Sequence, residues 1–89
     1  MWDWDDGKRR ANLAKHGVDF AAIDGFDWAS ADVEPDLRHP YGEERFAAVG
    51  YIGVRLHRVI FTRRNGRIRL ISLRKANRRE QRKWASRNV

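Results

Sequence analysis

The chain has no cysteine, so a disulfide framework and a thiolate metal site are both excluded, and nothing requires an oxidising compartment. No apolar run approaches the roughly 20 residues of a membrane span or the core of a signal peptide, which makes a cytoplasmic protein the expectation. A Gly-rich phosphate loop, a Ser-His-Asp set at a recognisable elbow and metal-ligand spacing are missing as well. His16, His39 and His57 stand apart from one another and from paired carboxylates. ATP use, hydride transfer and zinc chemistry are therefore poor readings, and no cofactor or metal is expected.

Acid is nearly missing from the second half. Residues 45–89 hold fourteen Lys or Arg against one carboxylate, Glu80, whereas residues 1–44 hold five against eleven. A net charge of −6 followed by +13 suggests a basic face directed at phosphate, because arginine supplies most of the excess and its planar fork suits that group. The competing reading is a solvated surface that keeps the protein soluble.

Eighty-nine residues are enough for one domain, 1–89, with a modest core. Its most regular stretch is RIRLISLRKANRREQRKW, Arg67 to Trp84. Ile68, Leu70, Ile71 and Leu73 read as a buried strand, preceded by the type I′ hairpin signal Asn65-Gly66. Asn77 with Glu80 has capping-box spacing and opens a basic helix to about Arg87, with Ala76 and Trp84 on a narrow apolar stripe. Trp84 reads as mostly core.

Upstream, GKRRANLAKHG reads as a short helix begun by Asp5 or Asp6 and stopped by Gly17. Val18 to Phe26 reads as a second, capped by Asp19, with Phe20 and Ile23 on one side. Trp28 to Val33 is a candidate first strand, and Pro35 to Glu44 a loop. Arg45 to Ile52 and Leu56 to Arg64 are strands joined at Gly53-Val54. The fold class is therefore α+β: two short N-terminal helices, an antiparallel sheet of three to four strands and a C-terminal basic helix, with helices on one sheet face and the other face open. Arg63, Arg69 and Arg74 can converge on that open face, although parity alone leaves the face of each undecided.

Arginine-rich chemistry suits RNA cleavage without a metal. The substrate's 2′-hydroxyl is the nucleophile, a base takes its proton, and fixed cations stabilise the charge that builds on phosphorus. His16, Lys75 and Glu80 are the candidate proton carriers. Each has an ordinary structural competitor: His16 as a helix C-terminal residue, Glu80 as the capping partner of Asn77, and Arg63 and Arg74 as a solvated sheet edge.

Trp4-Asp5, Lys8, Asn12, Lys15-His16-Gly17-Val18 and Phe20 together resemble the WDxxKxxxNxxKHGVxF opening of the BrnT-type toxins, small ribonucleases of type II toxin-antitoxin systems. GEERF at Gly42 to Phe46 with Gly50, and IRLISLRKA ending at Ala76, resemble the family's central segment and its IRIISARxA strand, with Leu73 where the family usually has Ala. The resemblance implies a RelE-like fold and an endoribonuclease that inhibits translation and growth. It also implies a BrnA-type antitoxin partner in a hetero-oligomer, which reaches operator DNA only through the antitoxin. Carried onto this chain, it points to Arg63, Arg74 and Lys75 at the scissile phosphate and to His16 and Glu80 for proton transfer or orientation. Lys8, Lys15, Arg45, Arg69 and Arg78 are candidate RNA contacts. The alternative is a non-catalytic module that uses the same face to hold nucleic acid or to dock the antitoxin.

Overall fold

In the computed structural model, residues 2–38, 40 and 42–88 are described. His39 and Tyr41, in the expected loop, lie outside the described residues. The order is β1 (Trp2–Asp3), α1 (Asp6–His16), a 3₁₀ helix (Phe20–Gly25), β2 (Asp32–Pro35), β3 (Arg45–Ile52), β4 (Arg55–Arg64), β5 (Arg67–Lys75) and α2 (Arg78–Arg87). The strands form one mixed sheet in the order β1-β5-β4-β3-β2, antiparallel except for β1 beside β5.

Local chemistry accounts for most boundaries. Asp5 caps α1 by accepting from the Lys8 N–H, and Gly17 ends it at φ 72°. Asn65 and Gly66, both at positive φ, make the type I′ turn between β4 and β5. Asn77 and Glu80 form a complete capping box on α2.

Three expectations are corrected. The segment after Asp19 is a 3₁₀ helix, which suits six residues that must turn Phe20, Ile23 and Phe26 onto the sheet. The first expected strand lies later, at Asp32–Pro35, with Trp28 packed on Phe26 instead of in the ladder. Pro35 is tolerated there because β2 is an edge strand. The sheet has five strands and is mixed: Trp2–Asp3 adds a parallel strand anchored by Trp2 against Trp28 and Phe61.

One face of the sheet is the core. Phe46, Ala48, Val59, Phe61, Leu70 and Leu73 meet Phe20, Ile23 and Phe26 there. Phe20 alone, 0% exposed, contributes about 1.5–3 kcal/mol by burial. α1 joins this face less through apolar contact, since Leu13 is exposed, than through the side chain of Asn12. That amide donates to the Leu73 carbonyl (2.7 Å) and the Val18 carbonyl (3.0 Å) and accepts from the Leu73 N–H (3.2 Å). Arg9 adds a fork to Asp19, with both bonds at 3.0 Å.

The opposite face is not open. α2 crosses it, and no residue of α2 is buried. Trp84 is half-buried, edge-on to Tyr51 at 5.2 Å, so it lies outside the core assigned to it from the sequence.

Gly50 lies where the sheet and the segment after the 3₁₀ helix approach closely. A Cβ there would sit 2.7 Å from the Phe26 ring and 3.2 Å from the Asp27 carbonyl oxygen. Gly50→Ala is expected to cost about 1–3 kcal/mol by overpacking, read as a lower urea midpoint at unchanged slope.

Candidate functional site

A concentration of charged side chains lines a cleft of about 700 Å³ between the second sheet face and α2. Ala47, Val49, Arg58 and Arg74 line its floor, with Arg38 beside them. Asn77, Arg79, Glu80, Lys83 and Trp84 of the α2 segment form one wall, and Asp32 and Glu34 of β2 the other.

At its centre Glu80 bridges two arginines. Arg74 donates to both carboxylate oxygens at 2.8 Å, and Arg58 Nε lies 3.2 Å from Oε2. The Asn77 N–H also donates to Oε1, at 2.9 Å. Burial pushes the Glu80 carboxyl up, but the Arg74 fork, the Asn77 N–H and the Arg58 charge outweigh it and hold it below the usual carboxylate range. Glu80 is thus an ionised clamp on the two guanidinium groups. A carboxylate so engaged is a poor proton acceptor.

Two cations against one carboxylate leave positive charge in partly desolvated surroundings. Burial, with repulsion from Arg38 and Arg74, lowers the Arg58 pKa from its ordinary value, yet a guanidinium still keeps its proton. The Arg74 fork closes on Glu80 and Arg58 reaches the same carboxylate through Nε, so two guanidinium groups lie side by side with one negative charge between them.

Arg58 was missed in the sequence. Its signal was a lone charge inside the apolar strand LHRVIF, but its partner depends on the register of β4 with β5. Arg58 pairs with Arg74, and His57 with Lys75, only because β5 carries one extra residue, Ile71, between the pairs Phe61–Leu70 and Ile60–Ser72.

The other expected residues divide. Arg74 and Glu80 meet as described. His16, at the end of α1, is outside the cleft lining but within electrostatic reach: burial, then the charges of Lys15 and Arg74, lower its pKa below 6.5, which favours the neutral base at pH 7. Lys75 turns to the core-side face opposite His57, away from the cleft. The buried His57 donates through Nδ1 to the Arg55 carbonyl at 2.9 Å.

Arg63 does not join Arg74. It lies five residues beyond Arg58 on β4, roughly 16 Å at ~3.3 Å per residue, with its guanidinium 5.4 Å from the Phe46 ring. Arg69 is held by Asp3 at 2.7 Å, so Arg63, Arg69 and Arg74 do not converge. Arg45 is outside the cleft lining, near Glu43. Lys8 and Lys15 are exposed on α1, and Arg78 is exposed at the start of α2.

α2 is fastened chiefly by charge. Besides Glu80, Lys83 pairs with Glu34 at 2.8 Å, and Arg87 with Asp32 at 3.0 Å and Glu34 at 3.5 Å. Among the described residues, no three His, Asp or Glu side chains are grouped to hold a metal ion, and no helix is long and apolar enough to cross a membrane.

The family model described as "Ribonuclease toxin, BrnT, of type II toxin-antitoxin system" matches residues 4–80, ending at the clamp residue Glu80. No match was found among curated proteins.

Because α2 is held without a buried residue, its attachment should be sensitive to salt. Raising NaCl to about 1 M shortens the screening length to ~3 Å, so amide exchange is expected to accelerate in α2 and remain slow in β4 and β5. Glu80→Gln should produce the same selective loss in dilute salt and lower stability by about 1–3 kcal/mol, the scale of a lost charged hydrogen bond.

Proposed function

The chain belongs to the BrnT family of ribonuclease toxins of type II toxin-antitoxin systems, and on that premise we propose that the Arg58–Glu80–Arg74 cleft is its RNA-cleaving site. The family implies an RNA substrate and an antitoxin partner. The observation that carries the assignment is the meeting of two guanidinium groups, from the central strands β4 and β5, on one carboxylate.

In this reading the scissile phosphate approaches Arg58 and Arg74. Neutral His16 removes the proton of the adjacent 2′-hydroxyl, the 2′-oxygen bonds to phosphorus, and the bond to the 5′-oxygen breaks as that oxygen takes a proton from water, leaving a 2′,3′-cyclic phosphate and a 5′-hydroxyl. The arginines stabilise the negative charge on the phosphorane oxygens, where fixed cations in a partly water-excluded site act most strongly. Glu80 keeps both forks oriented. Arg79 and Arg78 extend the positive surface along the RNA, and binding depends strongly on salt.

The chemistry is metal-independent and inhibits translation and growth in the cytoplasm. The partner is a BrnA-type antitoxin in a hetero-oligomer that covers the cleft, and operator DNA is reached through the antitoxin. The fold is RelE-like in this proposal.

Incubation of mixed-sequence RNA with the purified chain in EDTA is expected to yield cyclic-phosphate ends. Arg74→Ala and Arg58→Ala should each lose about 10²–10³-fold in rate, the scale of one charge-stabilising donor, while Arg63→Ala remains within a few-fold. Folded Arg74→Ala and Arg58→Ala proteins that cleave like the parent would exclude this site. RNA that is bound but left intact would favour the non-catalytic module.

The lowered His16 pKa sets the sign of the pH dependence. Protonation removes the base, so the rate should fall on acidification through a pKa below 6.5 and be flat near pH 7 on that limb. His16→Gln should be slower and lack the acidic limb. A parental limb that survives in His16→Gln would assign the base elsewhere.

A further inference from the structure

Resting on the ribonuclease reading of Arg74, we propose that Asn12 is a positioning residue for cleavage. It holds the bulge of β5 in the register that turns Arg74 into the cleft.

The pairing begun at Arg64–Arg67 runs without interruption to Phe61–Leu70. Continued in the same register, it would place Ser72 opposite Val59, Leu73 opposite Arg58 and Arg74 opposite His57. Because side chains alternate faces, Arg74 would then turn to the core-side face and Leu73 to the cleft. The observed pairs are Val59–Leu73 and Arg58–Arg74, since Ile71 is accommodated as an extra residue. One residue therefore decides whether Arg74 meets Arg58 or His57.

Two forces select the bulged register. The Leu73 side chain is 0% exposed in the core. Asn12 grips the backbone of the same residue, donating to its carbonyl and accepting from its N–H like a single residue of a neighbouring strand. β1 stops its pairing at Arg69, so Asn12 satisfies the edge of β5 where β1 no longer does. The remaining Asn12 donor fixes the Val18 carbonyl, so the grip is tied to the turn after α1. Asn12 itself is 8% exposed, which leaves these bonds little competition from water.

The register can be read without reference to activity. Since both backbone groups of Leu73 point at Asn12, Val59 and Leu73 are a non-hydrogen-bonded pair, whose Cα atoms approach to ~4.5 Å. They should give a strong Hα–Hα contact by NMR. In Asn12→Ala that contact is expected to move from Val59–Leu73 to Val59–Ser72, with a loss of cleavage on the order of 10²-fold, the scale of a misplaced catalytic group. Asn12→Asp, close in size, keeps an acceptor for the Leu73 N–H but sets a carboxylate against two carbonyls, and should show the same change if Asn12→Ala does not fold.

Deleting Ile71 removes the extra residue, so plain alternation then brings Leu73 to Val59 and Arg74 to Arg58. The deletion is expected to restore both the contact and most of the cleavage to an Asn12 variant, a rescue that loss of stability alone would not show. A Val59–Leu73 contact retained in the folded Asn12 variants would overturn the proposal, as would a shifted register with parental cleavage. Parental cleavage by Arg74→Ala would instead overturn the ribonuclease reading, and the Val59 contact would still decide whether Asn12 holds the register.

Discussion

A single extra residue in β5 sets the relation between the two faces of the sheet. Before Ile71 the even-numbered residues Ile68 and Leu70 face the core; after it the odd-numbered Leu73 does. The same exchange of parity turns Arg74 to the far side, opposite Arg58 and within reach of Glu80. Burial of Leu73 and the orientation of Arg74 are thus one constraint. A bulge beside a site is the common way to redirect one side chain without bending the whole sheet.

The two faces are held by different physics. On one, Phe20, Ile23 and the strand residues around Val59 and Leu70 exclude water, and their contribution is nearly independent of salt and pH. On the other, α2 rests on Glu80, Lys83 and Arg87, whose partners are Arg58, Arg74, Asp32 and Glu34. The depressed Glu80 pKa stabilises the fold above its unfolded value near 4.5, and this contribution is lost as pH falls through the lower folded value. The depressed His57 pKa acts in the same direction: the unfolded chain takes up its proton first, so stability declines as pH falls below 6.5. Salt therefore acts on the cleft side before the aromatic core, whereas falling pH reaches His57 on the core-side face before Glu80 in the cleft. The acid-rich first half of the chain supplies β2, whose Asp32 and Glu34 receive the basic helix from the second half.

Several parts were legible because their causes are local. Asp5, Gly17, the Asn65-Gly66 turn and the Asn77–Glu80 box each act within a few residues, and each holds. Other features depended on distant partners. β1 is two residues long, too short to alternate, and exists because Trp2 stacks on Trp28. Trp84 has helical spacing but no apolar layer to enter, since α2 faces the charged side of the sheet. Arg63 resembled a site residue by type and position, yet the hairpin carries it to the opposite end of β4 from Arg58.

By itself, then, the sequence determined the order of most elements, the turns and caps between them, the concentration of cations near the β5–α2 junction and the family to which that pattern belongs. Which arginines meet was decided only in the tertiary structure. Strand parity is a count of residues, and a bulge changes that count without a local mark, since Ile71 resembles its neighbours. Its position is set by Leu73 in the core and by Asn12, 61 positions away along the chain. A contact between such distant residues arises only once the chain has folded.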